Sequence, residues 1–352
     1  MGRLTGVVIG CGAIAREHLT AVAELKNAEI SAVCDLSAAR AESTAERFGI
    51  PKWFVNHTDM LSEIKPDLVH ITTPPASHFP LAQDSLKNGF NVLCEKPITL
   101  ERPQFEQLRD LATANRLALL ENHNFRYHSS VRKILGLIDS GEFGDVVDVQ
   151  ICISLAVDGP GSPYVDHNAP HFGQTLRTGV VGDFLTHISY LACLFAGRIT
   201  DVRTIWKKTN TSLPFPADEF RGFLKGERAT AYVSFSGNAQ PNGFWLRVAG
   251  TRIYAEANLF ESPRLALRRA RSGMPPLMTL VDGIAESRAV LATSFGSLSR
   301  KLSGASSYDG LATMIANIYD AIEAKAPQPI PLDEVDHVSW LVDRFSNMDI
   351  AL

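Results

Sequence analysis

The chain has 352 residues, long for a single domain, so two domains are the natural expectation. With 45% hydrophobic residues, 20% charged residues and a net charge of −4, it has the make-up of a globular protein with a sizeable core. The mild negative charge gives no basic face for nucleic acid or anionic lipid, and no apolar run reaches the roughly 18 residues that span a bilayer. The first residues lead straight into an apolar stretch without room for a signal peptide. The five cysteines lack Cys-x-x-Cys spacing and read as buried free thiols, so a reducing cytoplasm is expected.

Residues 4–9 form an apolar strand that enters a turn at Gly10 and Gly12 and leaves as a helix from Ala13 towards Lys26. A second strand, 30–34, ends in Asp35, and Ser37 is placed to cap a helix over 37–48. Strand 67–72 stops at Thr73, Pro74 and Pro75, because proline cannot continue it. Helix 77–88, strand 91–94, helix 100–115 and strand 117–120 follow. This alternation predicts a doubly wound parallel sheet with helices on both faces over residues 1–122.

The pattern changes after residue 122. A helix over 131–139 and a turn at 141–144 precede strands over 145–156, 199–207, 219–224, 228–236, 244–249 and 252–256, joined by short turns. These predict an α/β domain over 123–352 with a large, mostly antiparallel open sheet. Helices are expected over 277–302 and 311–324, and the last helices can pack back on the first domain. Residues 261–307 carry Arg264, Arg268, Arg269 and Arg271, then Pro275 and Pro276. They read as a charged surface excursion, or else as a lid or oligomer contact.

Gly10-x-Gly12-x-x-Ala15 spans a strand–helix join. Gly10 permits the turn, Gly12 lets the backbone approach a pyrophosphate, and the helix start at Ala13 and Ile14 offers free N–H groups. Asp35, about twenty residues on, is where ribose hydroxyls would be held. Thr73, Pro74, Pro75 and His78, and then Glu95-Lys96-Pro97, lie at further strand ends of the same sheet, where such folds bind ligands. An isolated lysine would be solvated, but at the mouth of a nicotinamide site Lys96 can hydrogen-bond a reacting oxygen. Farther on, Asp183 and His187 stand four apart on an apolar helical stretch, a spacing that lets a carboxylate orient a general base. Asp35 without an adjacent basic residue favours NAD, and Arg40 one helical turn on keeps NADP open. His123, His128, His167 and His171 have no structural zinc spacing, so no metal is expected.

Taken in order, the Gly10–Ala15 pattern, Thr73-Pro74-Pro75 with His78, Glu95-Lys96-Pro97, Gly141-Glu142-Phe143-Gly144 and Asp183-x-x-x-His187 resemble the Gfo/Idh/MocA oxidoreductases, the glucose–fructose oxidoreductase and inositol dehydrogenase family. The resemblance covers nearly the whole chain. It implies an N-terminal Rossmann domain, a C-terminal domain whose open sheet forms a homodimer or homotetramer interface, and NAD(P)-dependent hydride transfer on a sugar, cyclitol or sugar derivative. It also implies that Lys96, Asp183 and His187 are catalytic, that Asn124 lies near the nicotinamide, and that Arg126 lies near the substrate. Tyr164, His167 and His171 are further candidates for the sugar pocket, although loop histidines are commonly solvated.

Two departures fall on the substrate side. Thr178-Gly179-Val180 replaces a glycine run, and Tyr190 stands where an acid often follows the histidine. The resemblance leaves two other functions open: a sugar lyase or glycosidase that uses bound NAD transiently, and a non-catalytic dinucleotide-binding regulator. The intact Lys96, Asp183 and His187 argue against the regulator.

Overall fold

The computed structural model describes residues 2–159, 162–166, 171–260, 265–269, 283–284, 287–288 and 310–348. In chain order its elements begin with β1 (Leu4–Ile9), α1 (Ala13–Ala23), β2 (Ala28–Cys34), α2 (Ala38–Phe48), β3 (Lys52–Phe54), α3 (His57–Ile64), β4 (Leu68–Ile71), α4 (His78–Lys87), β5 (Asn91–Cys94), α5 (Arg102–Asn115) and β6 (Leu119–Glu121). They continue with α6 (Ser129–Asp139), β7 (Val146–Ser154), α7 (Val180–Ala196), β8 (Ile199–Lys207), β9 (Glu219–Gly226), β10 (Thr230–Ser236), β11 (Gly243–Gly250), β12 (Ile253–Asn258), β13 (Leu265–Arg269), α8 (Leu311–Glu323) and α9 (Leu332–Ser346). The chain divides into two compact units. One is Met1–Asn124 with Gly310–Trp340, the other Phe125–Asp309 with Leu341–Leu352.

The first unit is built on a parallel sheet of strand order β3-β2-β1-β4-β5-β6. Its central strands are largely apolar, because helices cover both faces: Val7, Val8, Val33, Val69, Ile71, Val92 and Leu93 are all inaccessible to solvent. Strand order reverses between β1 and β4, and the turn after β1 and the loop after β4 meet there. The Thr72 hydroxyl donates to Gly10 O at 2.6 Å. Gly10 adopts a φ of +95°, and a Cβ on it would lie 2.9 Å from the Thr73 nitrogen, so both conformation and space demand glycine. At the free edge of the sheet, the Gln328 amide accepts from Leu119 N and donates to Leu119 O, each at 3.1 Å. This side chain does for β6 what a neighbouring strand would do.

The second unit is built on a sheet of order β13-β12-β11-β7-β10-β9-β8. All its pairings are antiparallel except β7 with β10, which run parallel in the middle of the sheet. One face, carrying Val149, Ile151, Val233, Phe235 and Leu246, is buried, and α7 packs against β7, β8, β9 and β10. Covered in this way, α7 is apolar nearly all round. The other face mixes an Arg247–Glu256 ion pair at 2.9 Å with exposed Ile205 and Phe223.

Apart from the helix over 277–302, the elements expected from sequence appear with their ends moved by at most three residues. Four went unexpected: β3, α3, β13 and α9. β3 is a three-residue edge strand whose exposed Lys52 and Trp53 give no apolar pattern. β13 makes residues 265–269 of the arginine-rich stretch an edge strand, with Arg269 paired to Glu142 at 3.1 Å and Arg268 over the Tyr254 ring. Of the expected 277–302 helix only 283–284 and 287–288 are described, and these are helical. His167, Arg264, Arg271, Pro275 and Pro276 lie outside the described residues. Among the described residues no helix is long and apolar enough to cross a membrane.

Candidate active site

One group of candidate site residues lies at the C-terminal ends of β1, β2, β4 and β5. Gly12 is the N-cap of α1 and provides no side-chain cap, and a Cβ on it would meet nothing within 4 Å. The first N–H groups of α1, at Ala13 and Ile14, therefore lack a side-chain competitor, as an incoming phosphate requires. Asp35 follows β2 with both carboxylate oxygens engaged: Oδ2 accepts from Cys11 N at 2.9 Å and Oδ1 from Ser37 N at 2.9 Å. The exposed Arg40 guanidinium stands 3.6 Å from the same carboxylate. A glycine turn, an uncapped helix start and a fixed acid at the end of β2 fit a dinucleotide.

The segment bearing Lys96 is pinned at three backbone points. Lys96 N–H donates to Glu95 Oε2 at 3.3 Å and Ile98 N–H to Glu121 Oε1 at 2.8 Å. His78 stands between the Pro97 carbonyl (Nδ1, 2.8 Å) and the Thr73 carbonyl (Nε2, 2.7 Å), tying the loop after β4 to the one after β5. Burial pulls the His78 pKa down, outweighing these carbonyls and the Glu95 and Glu121 charges that pull it up. Burial also pushes the Glu95 carboxyl up, but the His18 contact, Asn122 and Lys96 outweigh it and hold the group below the ordinary carboxylate value. Asn122 donates to Glu95 Oε1 at 2.5 Å and accepts from Asn124 N–H at 3.0 Å, so the buried Asn124 belongs to the same network. Lys96 itself is half-buried.

A second group is built on α7. Asp183 and His187 are 6% and 7% exposed, one helical turn apart in the apolar body of the helix. Asp183 Oδ2 accepts from the buried Tyr164 hydroxyl at 2.9 Å. His187 Nδ1 lies 2.9 Å from the Tyr190 hydroxyl, and Phe125 N–H donates to that same oxygen at 3.1 Å. The Phe125 ring stands edge-on to His187 at 5.0 Å. His171 packs on Tyr164 with ring centroids 4.6 Å apart, and Arg126 sits in the short 3-10 turn Asn124–Tyr127. Each unit thus gathers its own share of the residues expected from sequence: Gly10, Gly12, Asp35, His78, Glu95 and Lys96 in one, and Tyr164, His171, Asp183 and His187 in the other. Glu121, Phe125 and the contact made by Tyr190 were missed. Only Tyr190 carried a signal, its place one helical turn beyond His187.

Residues 4–123 match the model described as "Oxidoreductase family, NAD-binding Rossmann fold", GFO_IDH_MocA. Over this segment the chain is similar to the Gfo/Idh/MocA oxidoreductases. Two relatives of known name extend the match. The chain is 26% identical over 212 residues to a D-apiose dehydrogenase of Paraburkholderia graminis, covering 60% of this chain and 54% of that one. It is 38% identical over 141 residues to a dTDP-3,4-didehydro-2,6-dideoxy-alpha-D-glucose 3-reductase of Streptomyces violaceoruber, covering 40% and 41%. The chain thus spans about half the length of the curated relatives it matches. In fold it resembles the WlbA dehydrogenase from Bordetella pertussis, solved in complex with NADH and UDP-GlcNAcA, with a TM-score of 0.76 and 14% identity over 98% of this chain and 96% of that one.

Proposed function

We propose that the protein is an NAD-dependent dehydrogenase that moves a hydride between a nicotinamide and a hydroxyl-bearing carbon of a sugar, cyclitol or sugar derivative. The observation that carries this reading is the buried pair Asp183 and His187 on α7, each with a tyrosine hydroxyl on it. Burying two such groups is costly unless they are hydrogen-bonded, and a solvated surface pair would need no such partners. The names of the matched relatives, a sugar dehydrogenase and a sugar-nucleotide reductase, agree with it.

Gly10, Gly12, Ala13 and Ile14 cradle the pyrophosphate, Asp35 holds the ribose hydroxyls, and Thr73, Pro74, Pro75, His78, Glu95 and Asn124 shape and fix the remaining wall. Asp35 favours NAD because a 2′-phosphate would face its charge. When bound, the nicotinamide supplies the hydride acceptor or donor. His187 takes up the substrate hydroxyl proton, Asp183 stabilises the imidazolium so formed, and Lys96 hydrogen-bonds the same substrate oxygen. Arg126, Tyr164 and His171 belong to the substrate pocket. The outer face of the second sheet, with Ile205 and Phe223 exposed, supports a homodimer or homotetramer, and the protein works in the cytoplasm.

The test is NADH absorbance after mixing the protein and NAD with a panel of sugars, inositols and sugar acids, beside a His187→Ala control. Turnover that is lost in the control supports the reading and names the substrate class. Bound NAD with no NADH formed on any substrate would favour a redox-neutral elimination. A protein that neither holds dinucleotide nor turns over overturns the reading.

A further inference from the structure

We propose that Tyr190 is a positioning residue that fixes the His187 ring and its tautomer, leaving Nε2 as the proton-accepting nitrogen; this rests on the reading of His187 as the base. An uncharged imidazole carries one N–H, so a base must show its bare nitrogen to the substrate and hide the protonated one. Nδ1 lies 2.9 Å from the Tyr190 hydroxyl. With Nδ1–H donating to that oxygen, the lone pair lies on Nε2.

Tyr190 is held from two sides. It sits on the same helix as His187, three residues on, and is 2% exposed. From outside the helix, Phe125 N–H donates to its oxygen at 3.1 Å. Phe125 also packs its ring edge-on against His187 at 5.0 Å and 84°, so a single residue braces both the imidazole and its partner. Asp183, bonded by Tyr164, lies one turn earlier on the same helix, and the Phe184 ring stands 6.3 Å from the imidazole.

A phenol accepts a hydrogen bond without carrying charge near neutral pH, unlike a carboxylate. Tyr190 therefore orients the ring without an anion behind Nδ1 to favour the protonated form.

Imidazole 15N shifts of histidine-labelled protein test this directly, with His187→Gln assigning the signal. The expected wild-type state is Nδ1–H with a bare Nε2, and Tyr190→Phe is expected to shift the ratio of tautomers several-fold towards Nε2–H. A wild-type ring protonated at Nε2 overturns the proposal, with or without a folded variant, and so does a ratio unmoved in Tyr190→Phe. In turnover, Tyr190→Phe is expected to lower kcat by about 10- to 100-fold with the KM for NAD little changed. Tyr190→Glu should move the acid limb of kcat/KM upward by about one pH unit, as a carboxylate beside the ring favours the imidazolium. A Tyr190→Glu profile identical to wild type counts against the proposal. Should the wild type turn over no substrate, the dehydrogenase reading fails while the 15N spectra still decide the tautomer.

Discussion

In the core of the first unit, His18 Nδ1 and His70 Nδ1 face each other at 3.0 Å. One proton fits between them, not two. The outer nitrogens are engaged as well: His18 Nε2 lies 3.0 Å from Glu95 Oε1, and His70 Nε2 lies 2.9 Å from the Tyr319 hydroxyl. With both rings neutral, Tyr319 donates to His70, His70 to His18, and His18 to Glu95. One added proton on His18 reverses the first two bonds, and a second would set two N–H groups against each other. Burial first, and then His18, hold the His70 pKa well below its ordinary 6.5.

An acid-sensitive fold follows. Unfolded, the His70 ring takes up a proton near its ordinary pKa, but folded it resists one because of its burial and the His18 ring beside it. The unfolded state therefore binds more protons below about pH 6.5, and stability falls there by about 1.4 kcal/mol per pH unit per excess proton. Glu95, held below its ordinary carboxylate value, adds stability that is present above its unfolded pKa of 4.5 and is lost as pH falls further. Urea denaturation at a series of pH values should give this slope, and a flatter one in His70→Asn. A stability that is level from about pH 7 to pH 5.5 would contradict the geometry.

Tyr319 reaches His70 only because β1 has a glycine opposite it. A Cβ on Gly6 would collide with the Tyr319 hydroxyl oxygen and come 2.8 Å from Ile30. Tyr319→Phe removes the partner of a buried ring nitrogen and should cost about 1–3 kcal/mol. Gly6→Ala should cost about as much or more through the clash. Because the shortest contact is to the hydroxyl, the double variant should be less damaged than the sum of the two. Strict additivity in denaturant titrations would show that the clash lies elsewhere.

What the sequence disclosed of this molecule was what is local. Gly10, Gly12 and Asp35 lie within a single strand–helix–strand unit, and Asp183 and His187 within one helical turn, so their spacing carries their geometry. The partners that fix them come from afar. Tyr319 bonds a histidine 249 residues earlier, and Phe125 braces a tyrosine 65 residues later. Periodicity has no term for such pairings. His18 and His70 were hidden for a related reason: His70 looks like one polar interruption in an apolar strand and His18 like the end of the polar run Arg16-Glu17-His18, until the fold sets them face to face. β13 escaped because its Leu265–Arg269 sequence alternates too briefly, and it is the pairing with β12 that makes it a strand.

Asp35 should decide between the two nicotinamide dinucleotides. Its carboxylate is already fixed by two backbone N–H groups, so it meets a ribose without reorganising. Asp35→Asn keeps one acceptor oxygen and removes the charge. It should raise the Kd for NAD by about tenfold while lowering that for NADP, since a 2′-phosphate no longer meets a like charge. Adding Arg40→Ala to Asp35→Asn should take away that gain, because the guanidinium is the nearby cation. Titration calorimetry with both dinucleotides measures this. An unchanged NAD to NADP ratio would show that Asp35 does not contact the ribose.

Cys11 lies in the glycine turn itself, between Gly10 and Gly12, yet it should be inert. Burial pushes its thiol up to about 11, and that of Cys34 to about 12. At about pH 8 a pKa near 11 leaves roughly one molecule in a thousand as the reactive thiolate. Cys94 is fully buried, and burial pushes its thiol well up too. The half-buried Cys152 and Cys193 should therefore be the first to react with a maleimide, as mapped by peptide mass spectrometry. Labelling of Cys11, Cys34 and Cys94 should wait for unfolding and share its denaturant dependence. NAD would then slow the modification of Cys11 only as far as it stabilises the fold, because a ligand that binds only the native state protects all buried thiols alike. If NAD instead protected Cys11 alone, the thiol would have to reach solvent in the native state, against the burial that raises its pKa.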